Sequence, residues 1–276
     1  MAVNYAAKYD SKVVERFTSK SFTEAGVNRD YEWSGVDTVN VYTLPTTALV
    51  DYTISGVNRY GASTELATTI QTMKIMKDRS YSITIDKKTT QDTPLNEIAG
   101  KVLAMQTDEV IIPEVDVYRL ALMSSTAITN LATATVAVTA ANAYSLFLNA
   151  TEWFGNKKVP LSGRVCWCTY AFYKFLKLDP MFVKNCDLGQ GIVIKGQIGE
   201  VDGVKIVPIP SSYMPATVAF IIAHPSATVS VKKLEDYKTH VDPVGISGSV
   251  LEGRVRYDAF VLDTKKDALW SHKISV

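Results

Sequence analysis

The chain has 276 residues, 47% of them hydrophobic, with 29 Lys and Arg against 28 Asp and Glu. That apolar fraction can bury a sizeable core and excludes a chain disordered as a whole, while the near-neutral balance excludes the basic surface of a dedicated nucleic-acid binder. Three cysteines make no disulfide framework, and the opening "MAVNYAAKYDSKVVERF" lacks the apolar core of a signal peptide, so a reducing cytoplasm is the expected compartment.

Residues 1–40 mix short apolar groups with balanced charge and read as a docked arm rather than a domain. "TVNVYTL" (38–44) alternates Val39 and Val41 against Asn40 and Tyr42 and is closed by Pro45, a strand signal. "DYTISGVNRYGAS" follows, with Gly56 and Gly61 as turn residues, and then a Thr-rich run in which Leu66, Ile70 and Met73 also suit a short helix. That run ends in "DRSYSITIDKK" (78–88), where Tyr81, Ile83 and Ile85 share one face and Ser80, Ser82, Thr84 and Asp86 the other. A half-polar strand of this kind needs a partner, supplied by a distant part of the chain or by another chain.

Thr93 and Pro94 form a helix start, and Leu95, Ile98, Val102 and Met105 continue at helical spacing. Pro113 interrupts the pattern, which Val115, Tyr118 and Leu122 resume, so the segment predicts one long helix kinked near Ile112. Residues 120–151 contain no Asp, Glu, Lys or Arg, but their Thr, Ser, Asn and Ala content points to burial in a folded core rather than to a membrane span. Thr139 opens the apolar helix "AANAYSLFLNATEWF", "GRVCWCT" reads as a buried strand, and "YAFYKFLKL" as the next helix. Asp202-Gly203 sits between two apolar runs as a hairpin turn, and the C-terminal third is mostly strand. The order of elements predicts an α+β chain.

The chemistry-bearing residues do not assemble into a site. His224, His240 and His272 lie at no ligand spacing from one another or from a cysteine, and His240 with Asp242 and Asp236 reads as solvated surface before Pro243. Cys166 and Cys168 flank Trp167 and point to one face of a strand as small core residues. Gly191 and Gly196 have the spacing of P-loop glycines, but Gln197 stands where the lysine is needed, and "GISGS" (245–249) is no nucleophile elbow. Glu109, Glu114 and Asp116 read as a solvated or salt-bridged helix face. No catalytic, cofactor-binding or metal-binding residue is expected, and no cofactor.

Several runs, in order over nearly the whole chain, resemble the major capsid proteins of tailed bacteriophages, whose shell fold is shared with encapsulins and the herpesvirus capsid floor. They are "YEWSGVDTVNVYTL", "DYTISGVNRYG", "DRSYSITIDKK", "EVIIPEVDVYRL", "GQIGEVDGVKIVPIPSSYMP" and "KLEDYKTHVDP" with "GRVRYDAFVLDTKK". The resemblance implies an N-terminal arm at 1–35, an extended β-hairpin loop at 36–92, a peripheral domain with the spine helix at 93–126, an axial domain at 127–225 and a return to the peripheral domain at 226–276. It implies that the strand at 79–86 pairs back with 38–44 in a ribbon lying over a neighbouring subunit, which makes Tyr52, Arg59, Tyr60, Asp78, Arg79 and Tyr81 the candidate subunit-interface residues. By the same resemblance the partners are further copies of the chain in hexamers and pentamers, a separately encoded scaffolding protein, a portal protein, decoration proteins, and packaged double-stranded DNA held non-specifically, with no membrane. The place is the virion capsid, assembled in the host cytoplasm. An encapsulin-like compartment and a soluble enzyme with an unrecognised site are the alternatives.

Some capsid proteins of this family join a loop lysine to an asparagine in the C-terminal part of a neighbouring subunit. Lys74, Lys77, Lys87 and Lys88 are present here, but no asparagine follows Asn185. Mature particles boiled in detergent are therefore expected to run as a single band at the monomer mass on a denaturing gel, and a reductant-resistant ladder is the contrary result.

Overall fold

The computed structural model describes residues 21–31, 33, 37–63, 65, 67–88, 98–126, 136–184 and 199–274. The helix start at Thr93 and Pro94 and the glycines at 189–196 lie outside the described residues. In chain order the strands are β1 (Thr38–Thr43), β2 (Thr69–Lys74), β3 (Lys77–Asp86), β4 (Arg164–Thr169), β5 (Glu200–Val201), β6 (Val204–Ile209), β7 (Val218–Ala223), β8 (Thr228–Val241), β9 (Gly248–Val261) and β10 (Leu269–Lys273). The helices are α1 (Ile98–Gln106), α2 (Ile112–Thr126), α3 (Ala143–Asn156), α4 (Tyr170–Leu178) and the short α5 (Pro180–Lys184).

α1 and α2 are one helical run joined by a π-helical turn, Thr107–Ile111. The cause is Pro113, which has no N–H for the carbonyl of Glu109 and crowds it; the wider turn just before it absorbs the mismatch, and the Ile112 N–H bonds instead to the carbonyl of Thr107. The sequence places the irregularity near Ile112, and the structure spreads it over the preceding turn.

The five-stranded sheet, in the order β10-β7-β4-β6-β5, is covered on both faces. Alternation along β4 sends Cys166 and Cys168 to one side, against Phe147 and Phe154 of α3 and Phe172 and Leu176 of α4. Val165 and Trp167 go to the other side, against Leu120 and Met123 of α2. Each such large apolar side chain stabilises the fold by about 1.5–3 kcal/mol when fully buried. Thr169 ends β4 and caps α4, its hydroxyl accepting from the Phe172 N–H. Asp202 and Gly203 both have positive φ, 50° and 71°, as the two-residue turn between β5 and β6 requires. β10 hydrogen-bonds to β7, so the C-terminal stretch 226–276 is shared between this sheet and the next one.

The second sheet has the order β3-β9-β8 and the third is the ribbon β1-β2. This corrects the expected pairing of residues 79–86 with 38–44. β1 pairs antiparallel with β2, from Thr38↔Lys74 to Thr43↔Thr69, while β3 pairs with β9 over its whole length, from Lys77↔Tyr257 to Asp86↔Gly248. β3 therefore finds its partner within the chain, about 170 residues on. β2 is a strand rather than the short helix that Ile70 and Met73 also suit. Between β2 and β3 the chain turns a corner at Ile75 and Met76: Ile75 is buried, its N–H donates to the carbonyl of Asp37, and the Met76 N–H donates to Asp258 Oδ2 at 2.7 Å. Trp33, Met73, Ile75, Val229, Val231 and Leu262 form the apolar cluster that roots the ribbon. Trp33 stacks on Phe260 with ring centroids 5.6 Å apart.

Helix α2 locks these parts together with polar side chains on different sides. Glu114 accepts from Tyr257 Oη of β9 at 2.8 Å and pairs with Arg79 of β3. Tyr118 Oη donates to Asp258 Oδ1 at 2.7 Å, and burial pushes the Tyr118 phenol well above its ordinary pKa. Asp116 is fully buried and accepts from Ser21 Oγ, the Phe22 N–H and Thr23 Oγ1 at 2.6–2.8 Å, with Arg119 Nη1 3.8 Å away. Gly26 belongs to this docked arm because a Cβ there falls 2.1 Å from the Trp167 ring, whose Nε1 donates to the carbonyl of Phe22. The expected solvated or salt-bridged face of Glu109, Glu114 and Asp116 holds for Glu114, which is salt-bridged to Arg79, and is corrected for Asp116, which is a buried acceptor. Glu114 and Asp116 are committed to tertiary contacts because their side chains point into crowded, donor-rich surroundings.

Two stability outcomes follow from these contacts. Asp116→Ala leaves three donors without their acceptor and removes a carboxylate beside the buried Arg119, which keeps Thr23 and Glu24, and urea unfolding is expected to show a loss of about 3–5 kcal/mol. His272 of β10 is buried, stacked at 3° on Phe220, with no partner for Nε2 among the described residues, and burial lowers its pKa below the usual 6.5. A depressed folded-state pKa for a base means that the unfolded chain takes the proton first. The stability of the neutral imidazole is therefore full above about pH 6.5 and lost as pH falls below it, and the melting temperature of wild type is expected to fall relative to that of His272→Phe as the pH drops from neutral to acid.

Candidate subunit interface

The loop between β1 and β2 carries apolar side chains with nothing over them. Leu49 is 101% exposed, Val57 96%, Ile54 86% and Tyr60 85%, with Leu44, Val50 and Tyr52 also exposed. A monomer gains nothing from so much apolar surface on one excursion, and contiguous patches of this kind mark contact surfaces. The loop is nevertheless organised by its own contacts. Tyr52 and Tyr60 meet edge-on at 5.0 Å, the Thr53 N–H donates to the carbonyl of Arg59, and Arg59 Nε donates to the carbonyl of Gly56 at 3.2 Å. Gly61 has φ +81°, and a Cβ there falls 2.6 Å from Val50 Cγ2, so the backbone can close against Val50 only with glycine at that position.

Of the six residues singled out from the sequence, Tyr52, Arg59 and Tyr60 lie together on this loop. Asp78, Arg79 and Tyr81 lie on β3, in the body. Asp78 accepts from Arg254 Nε and Nη2, at 2.9 and 2.6 Å, and the Arg254 hydrogen bond holds its carboxyl below the usual range. Arg79 pairs with Glu114 at 2.8 Å. The Tyr81 ring lies over Gly253, where a Cβ falls 2.4 Å from the ring, and approaches Tyr237 at 6.5 Å. These three side chains are therefore engaged within the chain, Asp78 and Tyr81 by its own sheet and Arg79 by helix α2. The exposed aliphatic residues Leu44, Leu49, Val50, Ile54 and Val57 were missed in the sequence; the signal for them was a run of apolar residues with neither helical nor strand periodicity.

Around the base of the ribbon the surface charge is paired across strands. Asp37 meets Lys233 at 2.7 Å and Arg256 at 3.2 Å, and the Lys233 hydrogen bond lowers its pKa. At the far end of the same sheet Lys87 pairs with Asp242 at 2.5 Å, which commits Asp242 to a lysine, while His240 Nε2 lies 3.4 Å from Glu252 across the strand pair. His224 Nδ1 meets Ser226 Oγ at 2.8 Å and caps a short turn. Cys166 is fully buried, and burial pushes its thiol well above the ordinary value, which is the environment of an inert core sulfur. Among the described residues no three His, Cys, Asp or Glu side chains come together as a metal site, and no helix is long and apolar enough to cross a membrane.

No family model matches the chain, and no curated protein matches it. Solved structures do. A chain from Mycobacterium phage Che8 is similar at TM-score 0.75 and 18% identity, covering 98% of this chain and 98% of that one. The capsid structure of the cyanophage P-SCSP1u is similar at TM-score 0.77 and 14% identity, over 98% of this chain and 93% of that one. The asymmetric unit of the bacteriophage PhiM1 mature capsid is similar at TM-score 0.74 and 12% identity, over 99% and 92%.

Proposed function

We propose that this chain, which has the shell fold of phage capsid subunits, is the major capsid protein of a tailed bacteriophage. The observation that carries the reading is the structural likeness itself, which runs over nearly the whole of this chain and nearly the whole of the capsid chains it resembles. Copies associate head to tail into hexamers and pentamers, and these close into a particle around double-stranded DNA. The role is structural, and the work is done by contacts between copies.

The exposed loop fits that role. Its apolar residues are covered when the ribbon lies over the next subunit, which turns an unfavourable surface in the monomer into buried area in the ring. The near-neutral net charge of +1 suits a wall that confines DNA without gripping it, since a strongly basic lining holds phosphates tightly. A separate scaffolding protein during assembly, a portal at one vertex and decoration proteins outside are the partners of this reading, in a virion assembled in the host cytoplasm.

Electron microscopy of the expressed protein, alone and with its neighbouring genes, is expected to show rings or closed shells, with DNA inside those made in infected cells. Monomers alone at high concentration across a range of salt, or shells holding a protein cargo and no DNA, overturn the reading. Replacing residues 45–67 with a short turn, which keeps the β1-β2 ribbon and its buried root, is expected to leave thermal unfolding of the body within a few degrees of wild type but to abolish particles.

A further inference from the structure

The face of the β1-β2 ribbon that turns towards the body carries Val39, Val41, Met73 and Gln71. The Gln71 amide reaches two backbone groups just past the end of β9: Nε2 donates to the carbonyl of Val261 at 2.8 Å, and Oε1 accepts from the Asp263 N–H at 2.9 Å. Its orientation is forced, because a carbonyl only accepts and an N–H only donates. The chain's own backbone makes the same two-point contact where the arm docks on β8: the Asn28 N–H donates to the carbonyl of Thr228, and the Asn28 carbonyl accepts from the Ser230 N–H. The side chain of Gln71 therefore stands in for a strand's peptide group, laid on residues 261–263 as the Asn28 backbone is laid on 228–230.

The place of this contact along the ribbon gives it leverage. A two-stranded ribbon has little stability of its own, and here its root is fixed by the corner at Ile75 and Met76 and by the pairing of Asp37 with Lys233 and Arg256. An attachment at one end acts as a pivot, and the apolar contacts of Val39, Val41 and Met73 have no direction that would stop the ribbon from swinging or sliding. Gln71 is three residues from Lys74 at the root, about 10 Å along the strand. A pair of directional bonds at that distance removes the pivot. We propose that the Gln71 amide is the clamp that sets the angle of the ribbon over the body and so holds the exposed loop in position for the next copy. The second half of this inference rests on the shell reading; the first half does not.

The test uses the full-length protein with nitroxide labels at Thr46→Cys, near the tip of the ribbon, and Lys205→Cys, on β6, both exposed, and with Cys186→Ser to remove a competing thiol. Pulsed electron paramagnetic resonance on the dilute, unassembled chain reads the distribution of distances between the two labels. Gln71→Met keeps the length of the side chain and removes both bonds, Gln71→Glu keeps the acceptor and loses the donor, and Thr72→Val is the control, because it removes the bond from Thr72 Oγ1 to Asn40 Oδ1 within the ribbon and leaves the clamp alone. Wild type and Thr72→Val are expected to give one narrow distribution, and the two Gln71 variants a distribution at least twice as wide, with the melting temperature of the body unchanged within a few degrees. Without labels, Gln71→Met is expected to raise the concentration needed for assembly about two- to tenfold, the effect of losing one net hydrogen bond from the competent state. A distribution as narrow in both Gln71 variants as in wild type, one already wide in wild type, or equal widening by Thr72→Val overturns the clamp and leaves the shell reading standing. Widening with unchanged assembly overturns its part in positioning the loop. A wild-type chain that forms no particle overturns the shell reading, while the distance distributions still decide the clamp.

Discussion

The structure turns on the corner at Ile75 and Met76, where one extended stretch of chain leaves β1 and joins β9. The Asp258 carboxylate holds that corner: one oxygen takes the Met76 N–H, and the other takes the Tyr118 hydroxyl and the Ala259 N–H. A strand that changes sheets leaves backbone groups without ladder partners at the crossing, and a buried carboxylate with several acceptor sites satisfies them. Because the corner is fixed, the ribbon projects as a separate two-stranded arm while β3 stays in the body. The projecting loop, the closed three-stranded sheet and the attachment of both to the long helix all follow from that separation.

Helix α2 is the other half of the same arrangement. Within six residues it presents Glu114 to β3 and β9, Asp116 and Arg119 to the docked arm, and Tyr118 to Asp258. Its apolar Leu120 and Met123 meanwhile pack under the five-stranded sheet. A helix can do this because successive residues step by about 100° around its axis. Arg119 illustrates the energetics: burial lowers its pKa, opposed by the charges of Asp116 and Glu24, while its guanidinium also donates to Thr23 Oγ1. Breaking such a cluster is costly even though forming it gains little over an apolar substitute. The consequence is a body in which two sheets, one helix and the arm are fixed relative to one another.

A rigid body and a projecting, apolar, self-organised loop form a division of labour suited to assembly. The loop keeps its shape through Tyr52, Tyr60, Val50 and Gly61 before it meets anything, so less conformational entropy is lost on contact than for a disordered segment. Its apolar residues are the exposed ones, whereas cross-strand ion pairs such as Asp78 with Arg254 are already closed within the chain.

The sequence by itself determined the kind and orientation of most elements. Alternation in 78–88 and in "GRVCWCT" placed Tyr81, Ile83, Ile85, Cys166 and Cys168 on the faces they occupy, and Asp202-Gly203 and Thr169 marked a turn and a cap that the structure has. The run of resemblances along the chain pointed to the shell fold. Only the tertiary structure decided which strand β3 pairs with, that Asp78 and Arg79 are engaged inside the chain, and that Asp116 is a buried acceptor. The reason is physical. A side chain's periodicity and a turn's φ preference act over a few residues and can be read locally. The partner of a strand edge or of a charge is chosen among groups scores to hundreds of residues apart, by which pairing satisfies the most backbone and buries the most surface once the whole chain has closed.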